Sequence, residues 1–256
     1  MLRLARSLVF NALFYLNTLL WLILALPTFF MPYRATVWMA KTWGRSNLVL
    51  LRVVVGLKYE IRGLEKIPPG ALIVAAKHQS AWETFALLPL FDNPLFIVKR
   101  ELMWIPVFGW LMRKGRMVPV DRSAGLRALN AMIARARIEL GRGRQLIIFP
   151  EGTRRPAGAE PRYKPGVALL YAKQGVPCLP VALNSGLFWP RRSIMLRPGT
   201  VVVEILDPIA PGLDRETFFQ RLRGEIESAT ARLLKEGDTS SSFRDGAKRR
   251  ARNPDT

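Results

Sequence analysis

One histidine occurs in the 256 residues, His78, so any step that needs an imidazole near neutral pH has a single candidate. It stands in AAKHQSAWETF, directly after the apolar run ALIVAA, at the carboxyl end of what reads as a strand, where open α/β sheets hold their ligands. Ser80 and Glu83 match the S-x-x-E pattern of a capping box, with Ser80 as N-cap and Glu83 at N3, which starts a helix at Ala81. On one continuous helix, His78 and Glu83 would lie about 140° apart and face away from each other. They meet only if His78 sits in the turn ahead of the helix. There the carboxylate can fix the imidazole tautomer while the other ring nitrogen takes a proton from a hydroxyl. The same two residues also fit a cap beside a hydrogen-bonded turn, and spacing alone leaves both readings open. Ser80 is a poor nucleophile, because its place as N-cap commits its oxygen to backbone N–H groups. Cys178, between Pro177 and Pro180 in an apolar run, reads as a small buried thiol.

A second polar group follows the run QLIIF. In FPEGTRR, Glu151, Gly152 and Thr153 occupy a strand-to-loop turn where glycine lets the backbone approach a ligand closely, and Arg154 and Arg155 can fork onto a phosphate. Taken alone, the segment fits a solvated loop better. Lys99, after LFIV, and Arg122, after RMVPV, also end strands and can converge on the same anion. Arg142 and Arg144 read as solvated surface.

These residues need elements to hold them. After Gly56, short β-branched runs alternate with helical stretches, which predicts an α/β fold: a mostly parallel central sheet flanked by helices. The strands are LKYEIRG, ALIVAA, LFIVK, RMVPV, QLIIFP, CLPVAL and TVVVEIL. Residues 123–140 and 217–234 carry apolar side chains at helical spacing and predict two surface helices. Charge and spacing give one domain over 56–235 and a polar, basic tail over 236–256 that reads as disordered.

Residues 1–55 differ in kind. No charge occurs between positions 7 and 33, and residues 8–26 would form a helix of about 28 Å, close to the hydrocarbon thickness of a bilayer. Pro27 and Pro32 interrupt it. The next segment carries Arg34, Lys41, Arg45 and Arg52 in a stripe roughly 40° wide, as expected of a helix lying in a membrane interface with its stripe facing phosphates. Basic residues on both sides of the first helix favour a re-entrant pair, so the segment predicts a two-helix membrane hairpin ahead of the catalytic domain. A buried core helix is the alternative. On the hairpin reading the rest of the chain folds without residues 1–52.

Lys and Arg total 39 against 19 Asp and Glu, a net charge of +20, so the surface favours anionic partners. A basic tether or nucleic-acid-binding protein is the competing class, suggested by Lys248, Arg249, Arg250 and Arg252, but the basic residues are dispersed and no nucleic-acid motif occurs. A single cysteine excludes an internal disulfide, and a reducing, cytoplasm-facing domain fits. One histidine assembles no His-based zinc cluster.

In its motifs the sequence resembles the glycerophospholipid acyltransferases, most nearly those that act on 1-acyl-sn-glycerol-3-phosphate (lysophosphatidic acid). The family's H-x-x-x-x-D appears as HQSAWE, with Glu83 where the family has Asp. A second block resembles KRELMWIPVFGWLMRKGRMVPVDRS, matching at Lys99, Glu101, Pro106, Gly109, Gly115 and Arg122. FPEGTRR matches throughout, and VPCLPVAL matches at Pro177 and Pro180. The resemblance implies an O-acyltransferase of phospholipid biosynthesis with His78 as general base and Glu83 as its orienting partner. It implies Arg154, with Arg122 and Lys99, on the acceptor's phosphate, and Glu151, Gly152 and Thr153 beside the substrate, where N–H groups near Gly152 would stabilise the oxyanion. No metal and no cofactor are implied beyond the acyl donor, acyl-CoA or acyl carrier protein. The expected product is phosphatidic acid at the cytoplasmic face of a membrane; another lysolipid acceptor is the alternative.

Overall fold

The structure, a computed structural model, describes residues 1–121 and 125–252, with side chains described to residue 237. All seven runs read as strands are strands: β1 Leu57–Arg62, β2 Leu72–Ala76, β3 Pro94–Lys99, β4 Val118–Val120, β5 Gln145–Ile148, β6 Cys178–Leu183 and β7 Gly199–Ile205. They form one sheet in the order β1-β7-β6-β2-β5-β3-β4, parallel at every pairing except that of β6 with β7.

Strand β2 explains why the central runs are apolar throughout: its side chains alternate between two covered faces. Leu72, Val74 and Ala76 pack with Phe10, Leu48, Leu51, Val55 and Phe85. Ile73 and Ala75 pack with Met132, Ala136, Leu170, Phe218 and Leu222. The second face is covered by α5 Gly125–Leu140, α6 Gly166–Gln174 and α7 Arg215–Arg252. Helix α7 starts two residues ahead of the expected 217, because Asp214 accepts the N–H groups of Glu216 and Thr217, each at 3.0 Å, as an N-cap does. Its backbone is helical to Arg252, where a disordered tail was expected from 236. The run AKRRAR is built of good helix formers and contains no proline.

The first face is covered by α1 Leu2–Leu24, α2 Tyr33–Leu50 and the short α3 Glu83–Ala86. Helix α1 and the turn after it, Leu2–Phe30, form the one stretch among the described residues long and apolar enough to cross a membrane. Trp43 donates to Thr18 Oγ1 at 3.1 Å, and Asn17 donates to Ser46 at 2.8 Å and Asn47 at 3.2 Å, which joins α1 to α2. Tyr15, Leu16, Leu19, Leu20 and Ile23 are exposed, whereas Phe10 is buried against the sheet. The hydrophobic core therefore runs across residue 55. Arg3 and Arg6 donate to the carbonyls of Leu196 and Val54. The N-terminal segment completes one layer of the catalytic domain, so the expectation that the remainder folds without it does not fit this packing.

Two charged residues sit elsewhere than expected. Lys41, read as part of a phosphate-facing stripe, donates to the carbonyl of Phe91 at 2.6 Å and so docks α2 onto the domain; Arg34, Arg45 and Arg52 are exposed. Arg144, read as solvated, is fully buried at the start of β5. It donates to Glu139 at 2.9 Å, Pro94 O at 3.0 Å and Gly115 O at 3.1 Å. These contacts satisfy a guanidinium that burial would otherwise penalise.

Candidate active site

Strands β6, β2 and β5 are adjacent and parallel, so the three segments that leave their carboxyl ends meet at one point: Asn184 and Ser185 after β6, His78 after β2, FPEGTRR after β5. The last ladder bond of β2 runs from Lys77 N to Val181 O at 2.9 Å. His78 then lies in the turn before α3, as the capping box requires. Glu83 accepts the N–H of Ser80 at 2.7 Å and that of Gln79 at 2.5 Å, both through Oε1, while Ser80 Oγ accepts from Trp82 N at 3.0 Å. The box forms, although regular helix begins at Glu83 rather than Ala81.

The same Glu83 Oε1 lies 3.4 Å from His78 Nδ1. The contact is close, yet Nδ1 has no hydrogen bond of good geometry; the ring nitrogen and the carboxylate sit slightly out of line, as in many sites before substrate closes them. Glu83 is thus both cap and partner. Its other oxygen accepts from Ser185 Oγ at 2.9 Å. Ser185 escaped the sequence reading, although the signal was present: it follows an apolar run that ends on the same edge of the sheet. The imidazole is also stacked on Phe149, with centroids 3.9 Å apart and planes 11° from parallel. Ring orientation is set by Glu83 on one edge and Phe149 on one face, which leaves Nε2 as the nitrogen available to a substrate.

FPEGTRR folds as a tight turn. Gly152 has φ +66°, a conformation that favours glycine, and its N–H donates to Phe149 O at 2.9 Å. The expected oxyanion donors near Gly152 therefore do not include Gly152 itself. Lys164 N donates to Pro150 O at 2.9 Å, closing the base of the loop, and Arg155 N donates to His78 O at 2.8 Å, binding this turn to the histidine turn. Arg155 extends to Glu160 O at 3.0 Å, so it does not pair with Arg154 as a fork.

Glu151 faces inward, not toward a ligand as expected. It is buried, its Oε1 lies 3.1 Å from Lys77 Nζ and its Oε2 accepts from His78 N at 3.2 Å. Lys77 also pairs with Glu227 of α7 at 2.7 Å, and Tyr163 donates to the same Glu227 oxygen at 2.8 Å. Burial raises the pKa of Glu151 above the ordinary carboxylate range despite the opposing effect of Lys77. Burial, with Glu227 beside it, also pushes the Tyr163 phenol up. Four side chains from four segments thus form a closed polar cluster beneath the two turns.

Two cavities meet at the imidazole. The first, about 470 Å³, runs from His78 between the sheet edge and α1 and α2; Trp21, Ala40, Trp43, Phe96 and Leu111 line its apolar part, and Lys99, Thr153 and Arg154 its polar end. The second, about 290 Å³, passes between the sheet and helices α5 and α6, lined by Leu129, Met132, Ile148 and Val167. His78, Ile97, Val98, Phe149 and Gly152 border both. Arg154 has no ion pair among the described residues, whereas Lys99 pairs with Glu101 at 2.9 Å. Arg122 lies outside the described residues. Cys178 is buried and its thiol pKa is pushed up by that burial, which fits an inert side chain.

A family model described as Acyltransferase matches residues 58–184. The chain is 39% identical over 176 residues, 68% of each protein, to a 1-acyl-sn-glycerol-3-phosphate acyltransferase of Pseudomonas aeruginosa. It is 28% identical over 195 residues, 75% of this chain and 63% of the relative, to the enzyme of that name from Cocos nucifera. The crystal structure of the 1-acyl-sn-glycerophosphate acyltransferase PlsC from Thermotoga maritima matches with a TM-score of 0.75 and 26% identity, over 90% of this chain and 97% of that one. Together with an imidazole that a carboxylate orients beside an arginine-bearing turn, these likenesses place the chain in the glycerophospholipid acyltransferase family, as an O-acyltransferase.

Proposed function

We propose that the enzyme acylates the sn-2 hydroxyl of 1-acyl-sn-glycerol-3-phosphate from an acyl thioester, carried by coenzyme A or acyl carrier protein, to give phosphatidic acid. The reading is supported above all by the meeting of two apolar cavities at one imidazole. Both substrates carry a hydrocarbon chain, and their reacting groups must come together at a base. The first cavity suits the acceptor, because Arg154, Lys99 and Thr153 stand at its polar end while its apolar walls include α1 and α2. The second, enclosed by the sheet, α5 and α6, suits the acyl chain of the donor.

His78 Nε2 takes the proton of the hydroxyl as its oxygen attacks the thioester carbonyl. The carbon–sulfur bond then breaks, and the imidazolium returns the proton to the departing thiolate. Glu83 stabilises the imidazolium while its charge lasts. No acyl-enzyme is needed, since both substrates are bound at once. Arg154 meets the acceptor's phosphate by charge-assisted hydrogen bonds.

The N-terminal helices form a monotopic membrane hairpin on this reading, with the catalytic turn at the cytoplasmic face. The exposed apolar side of α1 and the exposed Arg34, Arg45 and Arg52 on α2 and just beyond it support that placement. The decisive experiment supplies labelled palmitoyl-coenzyme A and palmitoyl-carrier protein, in turn, with a panel of lysolipids in vesicles. Labelled phosphatidic acid as the main product is expected, with the label at sn-2. A preference for an acceptor without a phosphomonoester would overturn the proposed substrate.

A further inference from the structure

A second exposed apolar surface lies on the catalytic domain, outside α1. After β3 the chain makes a 3-10 turn, Arg100–Trp104, and then enters α4, Phe108–Lys114. Their inward side chains Leu102, Phe108, Leu111 and Met112 line the first cavity. Their outward ones do not pack: Trp104 is 61% exposed, Ile105 45% and Trp110 50%. Three large apolar groups within seven positions on a solvent face are costly without a partner.

The backbone is shaped to present them. Val107 has φ +61° and ψ −57°, and Phe108 N donates to Pro106 O at 2.6 Å, which is a tight three-residue turn with a β-branched residue in a conformation it rarely adopts. Gly109 closes against the preceding 3-10 turn, where a Cβ would collide with Met103 O. Strain of this kind persists where the surrounding structure enforces it, and here it brings Ile105 beside the first turn of α4.

The neighbours identify the partner. Lys114 Nζ donates to Phe29 O at 2.9 Å, which fastens the end of α4 to the turn Leu26–Phe30, whose Phe30 is 96% exposed. Trp110 is one helical turn before Lys114 on the same side. The two exposed patches are therefore joined. Basic residues border the tryptophans: Arg113 is exposed, and the Arg100 guanidinium lies 5.4 Å from the Trp104 ring. Tryptophans with adjoining arginines, continuous with an exposed apolar helix, match the headgroup layer of an anionic bilayer.

We propose that Trp104, Ile105 and Trp110 enter that layer as a second membrane contact, supplied by the catalytic domain itself. The inference rests on the membrane placement of α1 and α2. It makes the segment Arg100–Lys114, whose inward side chains line the first cavity opposite Trp21, Leu22 and Ala25 of the N-terminal segment, an apolar approach by which a lysolipid passes from bilayer to active site.

The test uses the full chain bound to phosphatidylglycerol–phosphatidylethanolamine vesicles that contain brominated acyl chains, which quench nearby tryptophan. Trp104→Phe and Trp110→Phe should each remove a measurable share of the quenching, whereas Trp189→Phe, buried in the core, should remove little. In a second arm, the triple variant Trp104→Ala, Ile105→Ser, Trp110→Ala should raise KM about tenfold for lysophosphatidic acid presented in vesicles, the loss expected for withdrawing such groups from an interface. Turnover of a short-chain acceptor dissolved in water should stay within about twofold, which also reports that the variant is folded. Unchanged quenching by the Phe variants on vesicle-bound protein overturns the second contact, as does an equal fall in activity with the dissolved acceptor. A wild-type chain that binds no vesicles overturns the membrane placement instead.

Discussion

Lys77 and His78 are consecutive, and they leave β2 toward opposite surroundings. The Lys77 ammonium is buried between Glu151 and Glu227, with Tyr163 completing the group. The His78 imidazole keeps Nδ1 at 3.4 Å from Glu83, short of a good hydrogen bond, and borders two cavities. FPEGTRR divides in the same way: Glu151 is fully engaged below, and Arg154, above, has no ion pair among the described residues. The contrast separates holding from working. Saturated groups fix the two turns relative to each other, and the groups left with spare capacity are those that a substrate can satisfy.

Substitutions on either side of that division test it. The largest effect is expected at His78→Ala, with kcat down about a thousandfold for loss of the proposed general base and thermal stability close to wild type. Lys77→Met should invert the pattern: leaving the buried Glu151 beside the partly buried Glu227 without their shared cation costs about 3–5 kcal/mol, read as a lower midpoint in denaturant. A Lys77→Met protein as stable as wild type would erase the distinction. Glu83 belongs to both sides, so Glu83→Ala should lower kcat about a hundredfold and also lower stability, while Glu83→Asp should be mild in both. Equal activity in the two variants would reduce Glu83 to a cap. Arg154→Ala should raise KM for the acceptor about tenfold, the value of one charge-assisted contact, and leave KM for the thioester nearly unchanged.

The smallest effect concerns pH. The pKa of Glu151 is raised by burial above 4.5, so the folded state holds that proton more tightly than the unfolded chain. The corresponding stability is present below the ordinary carboxylate range and is lost as pH rises through the raised value. Glu151→Gln should flatten this slope, measured by denaturant midpoints across mildly acidic pH. A slope equal to wild type would assign the titration to another group.

Much of this was legible in the sequence. The seven strands followed from short β-branched runs, because parallel strands buried on both faces need apolar residues throughout. The pairing of His78 with Glu83 followed from the capping box, which is local geometry. What escaped depends on contacts between distant segments. Glu151 and Arg154 share one motif, and no spacing rule says which faces inward; Glu227, 76 positions further on, settles it by holding Lys77. Arg144 looked solvated because four of its partners are backbone or carboxylate groups brought in by the fold. Helix α6 was missed although Pro165 before it and Gly175, with φ +64°, after it are ordinary boundary signals.

If α1 lies in a membrane as proposed, its two sides have a practical consequence for anyone who wants this enzyme free of detergent. Phe10 rests in the interior beside Leu72 and Trp189, so deleting the helix would open a hole in the protein, whatever it did to the proposed lipid contact. Polar replacements at Leu16, Leu19, Leu20 and Ile23, on the outward side, would leave that interior intact and are the better route to a version that lives in water.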